Sequence, residues 1–139
     1  MDKDMNSRKN ILLVDDDEIH LEITELALKD EYDIFMVNSG EKAFELLEKS
    51  HIIPDLLMLD ILMPTMDGWQ IFDKIQDIAS LKGTPIMFFT SLDEETAKEK
   101  AYELGAFDYI TKPCDQLVLL DRIRAALQKA ELQKQQYGT

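Results

Sequence analysis

The sequence predicts an α/β fold, a five-stranded parallel sheet with helices on both faces. Three observations carry this. Apolar runs of four or so residues recur along the chain, too short for helices and without the polar alternation of a strand that has one wet face. Between them lie stretches with apolar residues three or four apart and acids opposite, the period of a helix lying on a core. The two kinds alternate strictly, five of each, and buried strands alternating with helices make a parallel sheet wrapped on both sides. A length of 139 residues suits one such domain.

Each element can be justified in order. After a polar leader at residues 1–9, Ile11-Leu12-Leu13-Val14 is a buried-strand run that stops at Asp15-Asp16-Asp17. Ile19, Ile23 and Leu26 then fall at helical spacing with Glu22 and Glu25 on the other side, so a helix with that trio inward runs to about Lys29, N-capped by Asp17. Tyr32 to Val37 is rich in β-formers. Ser39-Gly40 opens a helix with Ala43, Phe44 and Leu47 inward and Glu41, Glu45 and Glu48 outward. Leu56-Leu57-Met58-Leu59 is the third strand and runs straight into Asp60; Pro64 and Asp67-Gly68 turn the chain, and a helix starts near Gly68. Ile71, Phe72, Ile75, Ile78 and Ala79 mark that helix, which Lys82-Gly83-Thr84-Pro85 ends. Ile86-Met87-Phe88-Phe89 is the fourth strand, ending at Thr90, and a helix from about Asp93 presents Ala97, Ala101 and Leu104 before Gly105 closes it. Asp108-Tyr109-Ile110-Thr111 is a short fifth strand ended by Lys112-Pro113. Leu117, Leu120, Ile123 and Leu127 give the last helix, so the domain spans 10–128, with 129–139 a polar helix extension or tail.

Composition narrows the partners. A formal net charge of -13 argues against direct binding of nucleic acid or of an anionic membrane, and favours cations and metal ions. The single Cys114 excludes an internal disulfide and a cysteine zinc site, fits a reducing compartment, and reads as an ordinary small residue after a proline. No apolar run approaches the roughly twenty residues of a membrane span, and the first nine residues lack the apolar core of a signal peptide. The expected location is the cytoplasm.

In open parallel sheets, ligands bind outside the carboxyl ends of the strands. Those ends carry Asp15 and Asp16, Asp60, Thr90 and Lys112, each directly after an apolar run. Asp60 alone reads equally as a turn or cap acid; a carboxylate ending a buried strand is otherwise costly unless its charge is used. With the first and third strands as neighbours, three carboxylates share one mouth and repel unless a cation neutralises them. Mg2+ suits hard oxygen ligands and binds through one or two carboxylates plus a phosphate, whereas the triple Asp lacks the alternate spacing of a calcium loop. Phosphoryl transfer needs a positioned nucleophile and positive charge on the equatorial oxygens. Asp60 can be that nucleophile, Lys112 the charge and Thr90 a hydroxyl donor. Singly, a lysine at a strand end is usually solvated and a threonine is an ordinary strand residue.

The motifs Ile-Leu-Leu-Val-Asp-Asp-Asp, Leu-Asp-Ile-Leu-Met-Pro-Thr-Met-Asp-Gly, Phe-Phe-Thr-Ser and Tyr-Ile-Thr-Lys-Pro, in that order, resemble a response regulator receiver domain of bacterial two-component signalling over about Asn10 to Gln128. The resemblance, and nothing in the spacing, implies a doubly wound, flavodoxin-like (βα)5 sheet of strand order 2-1-3-4-5. It implies that Asp60 accepts a phosphoryl group from the phosphohistidine of a sensor histidine kinase or phosphotransfer protein. Asp15, Asp16, Asp60 and the backbone carbonyl of Leu62 would hold Mg2+. Lys112 and Thr90 would bind the phosphoryl oxygens, Tyr109 would follow inward, and the Lys112–Pro113 bond would be cis. Leu62 and Leu92 would flank the path of an attacking water that apolar groups cannot orient, so self-dephosphorylation would be slow.

The face made by the fourth helix, fifth strand and fifth helix, from about Asp93 to Lys129, would carry the signal to a protein partner, an output domain or a second copy. Asp108 and Arg122 resemble charges that pair across a dimer in receivers coupled to winged-helix output domains, but Val118 stands where an acid is usual. The chain would then be a switch that catalyses only its own phosphorylation and slow dephosphorylation. Three rivals have less support. A phosphatase usually has a second acid at the position of Leu62. A pseudo-receiver, which binds partners without phosphorylation, usually lacks an acceptor, a metal acid or the lysine. A flavodoxin-like redox protein needs a Ser/Thr/Gly-rich loop after the first strand.

Overall fold

The computed structural model describes residues 8–50 and 52–138; most of the leader (residues 1–7) and Thr139 lie outside the described residues. The elements are β1 (Asn10–Val14), α1 (Glu18–Leu28), β2 (Asp33–Val37), α2 (Gly40–Lys49), β3 (Leu56–Leu59), α3 (Gly68–Ile75), a 3-10 turn (Ala79–Leu81), β4 (Ile86–Thr90), α4 (Glu95–Leu104), β5 (Asp108–Thr111) and α5 (Gln116–Gln133), with a π-helical turn at Lys134–Gly138. The strands form one parallel sheet in the order β2-β1-β3-β4-β5.

Alternate strand residues face opposite layers, as the period of two requires. Leu12, Val14, Leu57, Leu59, Ile86 and Phe88 pack with Ala43, Leu47, Ile71, Phe72, Ile75, Ala97 and Ala101 from α2, α3 and α4. Ile11, Leu13, Leu56, Met58, Met87 and Ile110 pack with Leu21, Leu28, Leu119, Leu120, Ile123 and Ala126 from α1 and α5. All four residues of β3 are buried, each worth about 1.5–3 kcal/mol of transfer free energy. The central strand thus has a core on either side and an acid at its tip.

Four helical details differ from the sequence reading. In α1 the buried residues are Leu21, Thr24 and Leu28, whereas Ile19, Ile23 and Leu26 are 68%, 60% and 63% exposed. Two apolar stripes share one spacing there, and spacing alone does not say which faces the sheet. The α3 helix stops at Ile75, and Ile78 and Ala79 belong to a separate turn. In α5, Leu119 and Ala126 are buried beside Leu120 and Ile123 while Leu117 is exposed. Leu104, one residue before the left-handed Gly105 cap, is also exposed.

Candidate functional site

Strand register brings the polar tips together. Val14 pairs with Leu59, and the ladder continues one step further as the Asp60 amide donates to the Val14 carbonyl at 2.9 Å. Asp15 and Asp60 therefore emerge side by side. Likewise Thr90 pairs with Thr111, and the Lys112 amide donates to the Thr90 carbonyl at 2.8 Å. Carboxylate oxygens of Asp15, Asp16 and Asp60 all lie within 4.8 Å of one another; Asp15 and Asp60 are buried and Asp16 is exposed.

Local hydrogen bonds fix these groups. Asp15 accepts the Asp17 amide at 2.9 Å. Asp17 caps α1 by accepting the Ile19 and His20 amides at 2.9 and 3.2 Å, and the His20 amide is the main reason its carboxyl lies below its usual value. On the other side, the β3–α3 loop is tied by a capping box in which Asp67 accepts the Gln70 amide and Gln70 accepts the Asp67 amide. Gly68, buried at the start of α3, donates to the Ile61 carbonyl at 3.1 Å. A Cβ there would stand 2.5 Å from the Asp60 carbonyl oxygen, so only glycine lets the loop return this closely.

Charge balance centres on Lys112, whose side chain is 10% exposed. Its ammonium hydrogen-bonds Asp15 and lies 3.8 Å from Asp60. Burial pushes the Asp60 carboxyl up, with help from the negative Asp15, while the Thr90 hydroxyl, Lys112 and the Leu62 amide pull it back. That amide donates to Asp60 at 3.3 Å, and the Leu62 side chain is 52% exposed. Thr90 is fully buried, and its hydroxyl oxygen accepts the amide of half-buried Leu92 at 3.3 Å. Tyr109 is buried too, donating its hydroxyl to the Leu92 carbonyl at 2.5 Å. Burial, then the nearby acids Glu94, Asp93 and Asp60, push its phenol up to about 12. The Lys112–Pro113 peptide bond is cis.

The structure thus gathers Asp15, Asp16, Asp60, Thr90 and Lys112, with Tyr109 one contact further out. Three hard oxygens beside one ammonium can hold a divalent cation and receive an anionic group. Sequence reasoning missed His20 and Tyr102, and it named Asp108 and Arg122 only as charges like those that pair across a dimer. His20 Nδ1 is 3.4 Å from the Lys112 ammonium, and only its place just after the triple Asp hinted at this. Asp108 is buried and held within the chain by a forked pair of bonds from Arg122, at 2.6 and 2.8 Å, and by the Tyr102 hydroxyl at 3.0 Å; Tyr102 carried no signal.

Comparison with known proteins agrees with this geometry. The chain is 39% identical over 120 residues to the regulatory protein VanR of Enterococcus faecium, covering 86% of this chain and 50% of that one. It is 33% identical over 116 residues to the response regulator PleD of Caulobacter vibrioides, covering 83% of this chain and 25% of the relative. The chain therefore spans half or less of the length of these two relatives. A crystallised signal receiver domain of a putative LuxO repressor protein from Vibrio parahaemolyticus superposes with a TM-score of 0.85 at 28% identity, over 96% of this chain and 100% of that one. Among the described residues no helix is long and apolar enough to cross a membrane. The family described as response regulator receiver domain matches residues 11–124, and with the sheet order and the acid-lined strand ends in agreement, the chain belongs to the receiver domains of two-component response regulators.

Proposed function

We propose that the chain is a phosphorylation-controlled switch in which Asp60 takes a phosphoryl group from the phosphohistidine of a sensor kinase or phosphotransfer protein. One observation carries this reading: Asp60 is a buried carboxylate that shares its pocket with two further acids and the Lys112 ammonium. In the step, a carboxylate oxygen of Asp60 attacks phosphorus, the donor's P–N bond breaks and the imidazole leaves with its electron pair. The donor set fits Mg2+, since three carboxylate oxygens and a loop carbonyl are the hard ligands that ion takes. Asp15, Asp16, Asp60 and the Leu62 carbonyl would hold it, and when bound it supplies positive charge to the phosphoryl oxygens.

Lys112 and Thr90 supply the remaining donors, and Tyr109 follows Thr90 through Leu92. The added charge favours the arrangement in which these groups bind it, and so shifts an existing equilibrium at the α4-β5-α5 face. The phosphodonor docks on α1, where exposed Ile19, Ile23 and Leu26 form an apolar stripe on the helix that Asp15-Asp16-Asp17 leads into. Beyond its own phosphorylation and slow dephosphorylation the domain, residues 10–128, turns over no substrate, and it works in the cytoplasm.

Intact-protein mass after incubation with acetyl phosphate and Mg2+ tests this, beside Asp60→Asn and an EDTA sample. A single phosphoryl adduct lost in both controls is the expected result. An adduct that persists in Asp60→Asn overturns the acceptor. No adduct from acetyl phosphate or from any candidate kinase makes the chain a phosphorylation-independent interaction module.

A further inference from the structure

The mouth of the site holds one polar side chain that the acceptor chemistry does not use. His20 lies in the first turn of α1, and side chains on a helix lean toward its N-terminus, here toward the strand ends. Its Nδ1 is 3.4 Å from the Lys112 ammonium, 3.7 Å from Asp17 and 3.9 Å from Asp15, and the side chain is 42% exposed.

An ammonium has three N–H donors and no acceptor. Asp15 takes one of them. Asp60, at 3.8 Å, attracts the charge without completing a hydrogen bond. Nδ1 lies within reach of the same ammonium, and since an ammonium can only donate, a bond between them requires the Nδ1 lone pair, with the ring proton on Nε2. The Phe89 ring, its centroid 5.2 Å from the ammonium, lies against the same group. The phenyl ring is uncharged, so it packs against the ammonium without neutralising it.

Resting on the acceptor reading above, we infer that His20 is a positioning residue for Lys112: its Nδ1 holds one ammonium N–H so that the charge stands beside Asp15 and Asp60. Lysine is a point charge on a flexible four-carbon stem. A tether at its tip aims it before the phosphoryl group arrives, and preorganised charge of this kind lowers the barrier to transfer.

Two measurements on the full chain test it. Long-range 1H–15N spectra, assigned with His20→Gln, report the ring tautomer without any phosphorylation. A proton on Nε2 is expected, with the preference weakened in Lys112→Met; a proton on Nδ1, or an identical tautomer in Lys112→Met, overturns the pairing. The second measurement follows phosphoryl uptake by intact mass against acetyl phosphate concentration in Mg2+. His20→Leu should lower the limiting rate about tenfold at unchanged half-saturating concentration and melting temperature, the effect of one hydrogen bond to a charged group. His20→Gln, which restores an acceptor, should recover most of it. Equal rates in wild type and His20→Leu, or equal losses in the Leu and Gln variants, overturn the role. A wild-type chain that takes up nothing from acetyl phosphate or a kinase overturns the acceptor reading instead, and the tautomer then decides the pair by itself.

Discussion

Replacing Gly68 by alanine tests whether backbone contact sets the acceptor loop. The new Cβ would stand 2.5 Å from the Asp60 carbonyl oxygen and 2.8 Å from the Ile61 Cα. An unstrained contact needs about 3.5 Å, so the two chain segments must part by roughly 1 Å. The φ of Gly68 is outside the left-handed region, so space alone is at issue. One effect favours the variant: alanine has less unfolded-state entropy to lose than glycine, worth about 0.4–1 kcal/mol. Overpacking costs about 1–3 kcal/mol, and here the upper end applies because the opposing atoms are backbone and cannot rotate away. The clash wins by about 2 kcal/mol, which lowers the melting temperature by about 5–8 °C. Activity should suffer more, because a displacement of about 1 Å in a reacting group can cost about 100-fold in rate. Thermal unfolding and the initial rate of phosphoryl uptake are the assays. A Gly68→Ala chain with an undiminished melting temperature and uptake rate refutes the reasoning.

Other outcomes follow from the same geometry. Burial alone would push the Asp108 carboxyl up, but Arg122, the Tyr109 amide and the Tyr102 hydroxyl hold it below its usual value; the folded chain binds fewer protons there, so this stability is present above about pH 4 and lost as pH falls through the folded value. Arg122→Ala should cost about 1–2 kcal/mol at pH 7, less than for a fully buried pair because the guanidinium side chain is 44% exposed, and the gap from wild type should shrink at low pH; denaturant titration showing one gap at both pH values counts against it. Leu62→Ala and Leu92→Ala should each lose the phosphoryl group faster than wild type, and intact-mass decay curves that superpose would end the idea that these side chains shield it. Trp69, the sole tryptophan, lies 4.9 Å from Phe88 and 4.2 Å beneath the Lys100 ammonium, and Phe88 in turn is 6.1 Å from Tyr109. Its emission should therefore shift both on phosphorylation and in Lys100→Ala, which loses about 0.5–1 kcal/mol of cation–π attraction; constant emission in both would show that the contact does not link α3 to α4.

Strands and strand-end acids were legible because a buried parallel strand leaves an unbroken apolar run, and β1, β3 and β4 each end such a run on Asp15, Asp60 or Thr90. Helix faces were less so. Ile19, Ile23 and Leu26 repeat at the same interval as Leu21, Thr24 and Leu28, and the choice between them depends on how α1 leaves the sheet. Leu117 and Leu119 pose the same problem in α5. Ile78 and Ala79 continue the apolar period of α3 past its last turn, so periodicity overran the helix. The role of His20 arises from an approach across the fold, between residues 92 apart, and no local pattern encodes it; Asp67-Gly68 was legible as a turn, but not the close return of Gly68 onto Asp60 and Ile61.

The β1–β3 ladder acts as a ruler. Asp15 and Asp60 keep their separation because each is the next residue after a hydrogen-bonded pair, Val14 with Leu59. Residues inserted in the loop after α1, or in the loop after α2 ahead of Asp55, whose amide donates to the Asn10 carbonyl at 2.8 Å, leave that separation untouched. A single deletion within Ile11–Val14, by contrast, turns Asp15 to the opposite face of the sheet. Tolerance to insertion and deletion should thus divide sharply along the chain: loops outside the ladder can change length while the chemistry stays in register.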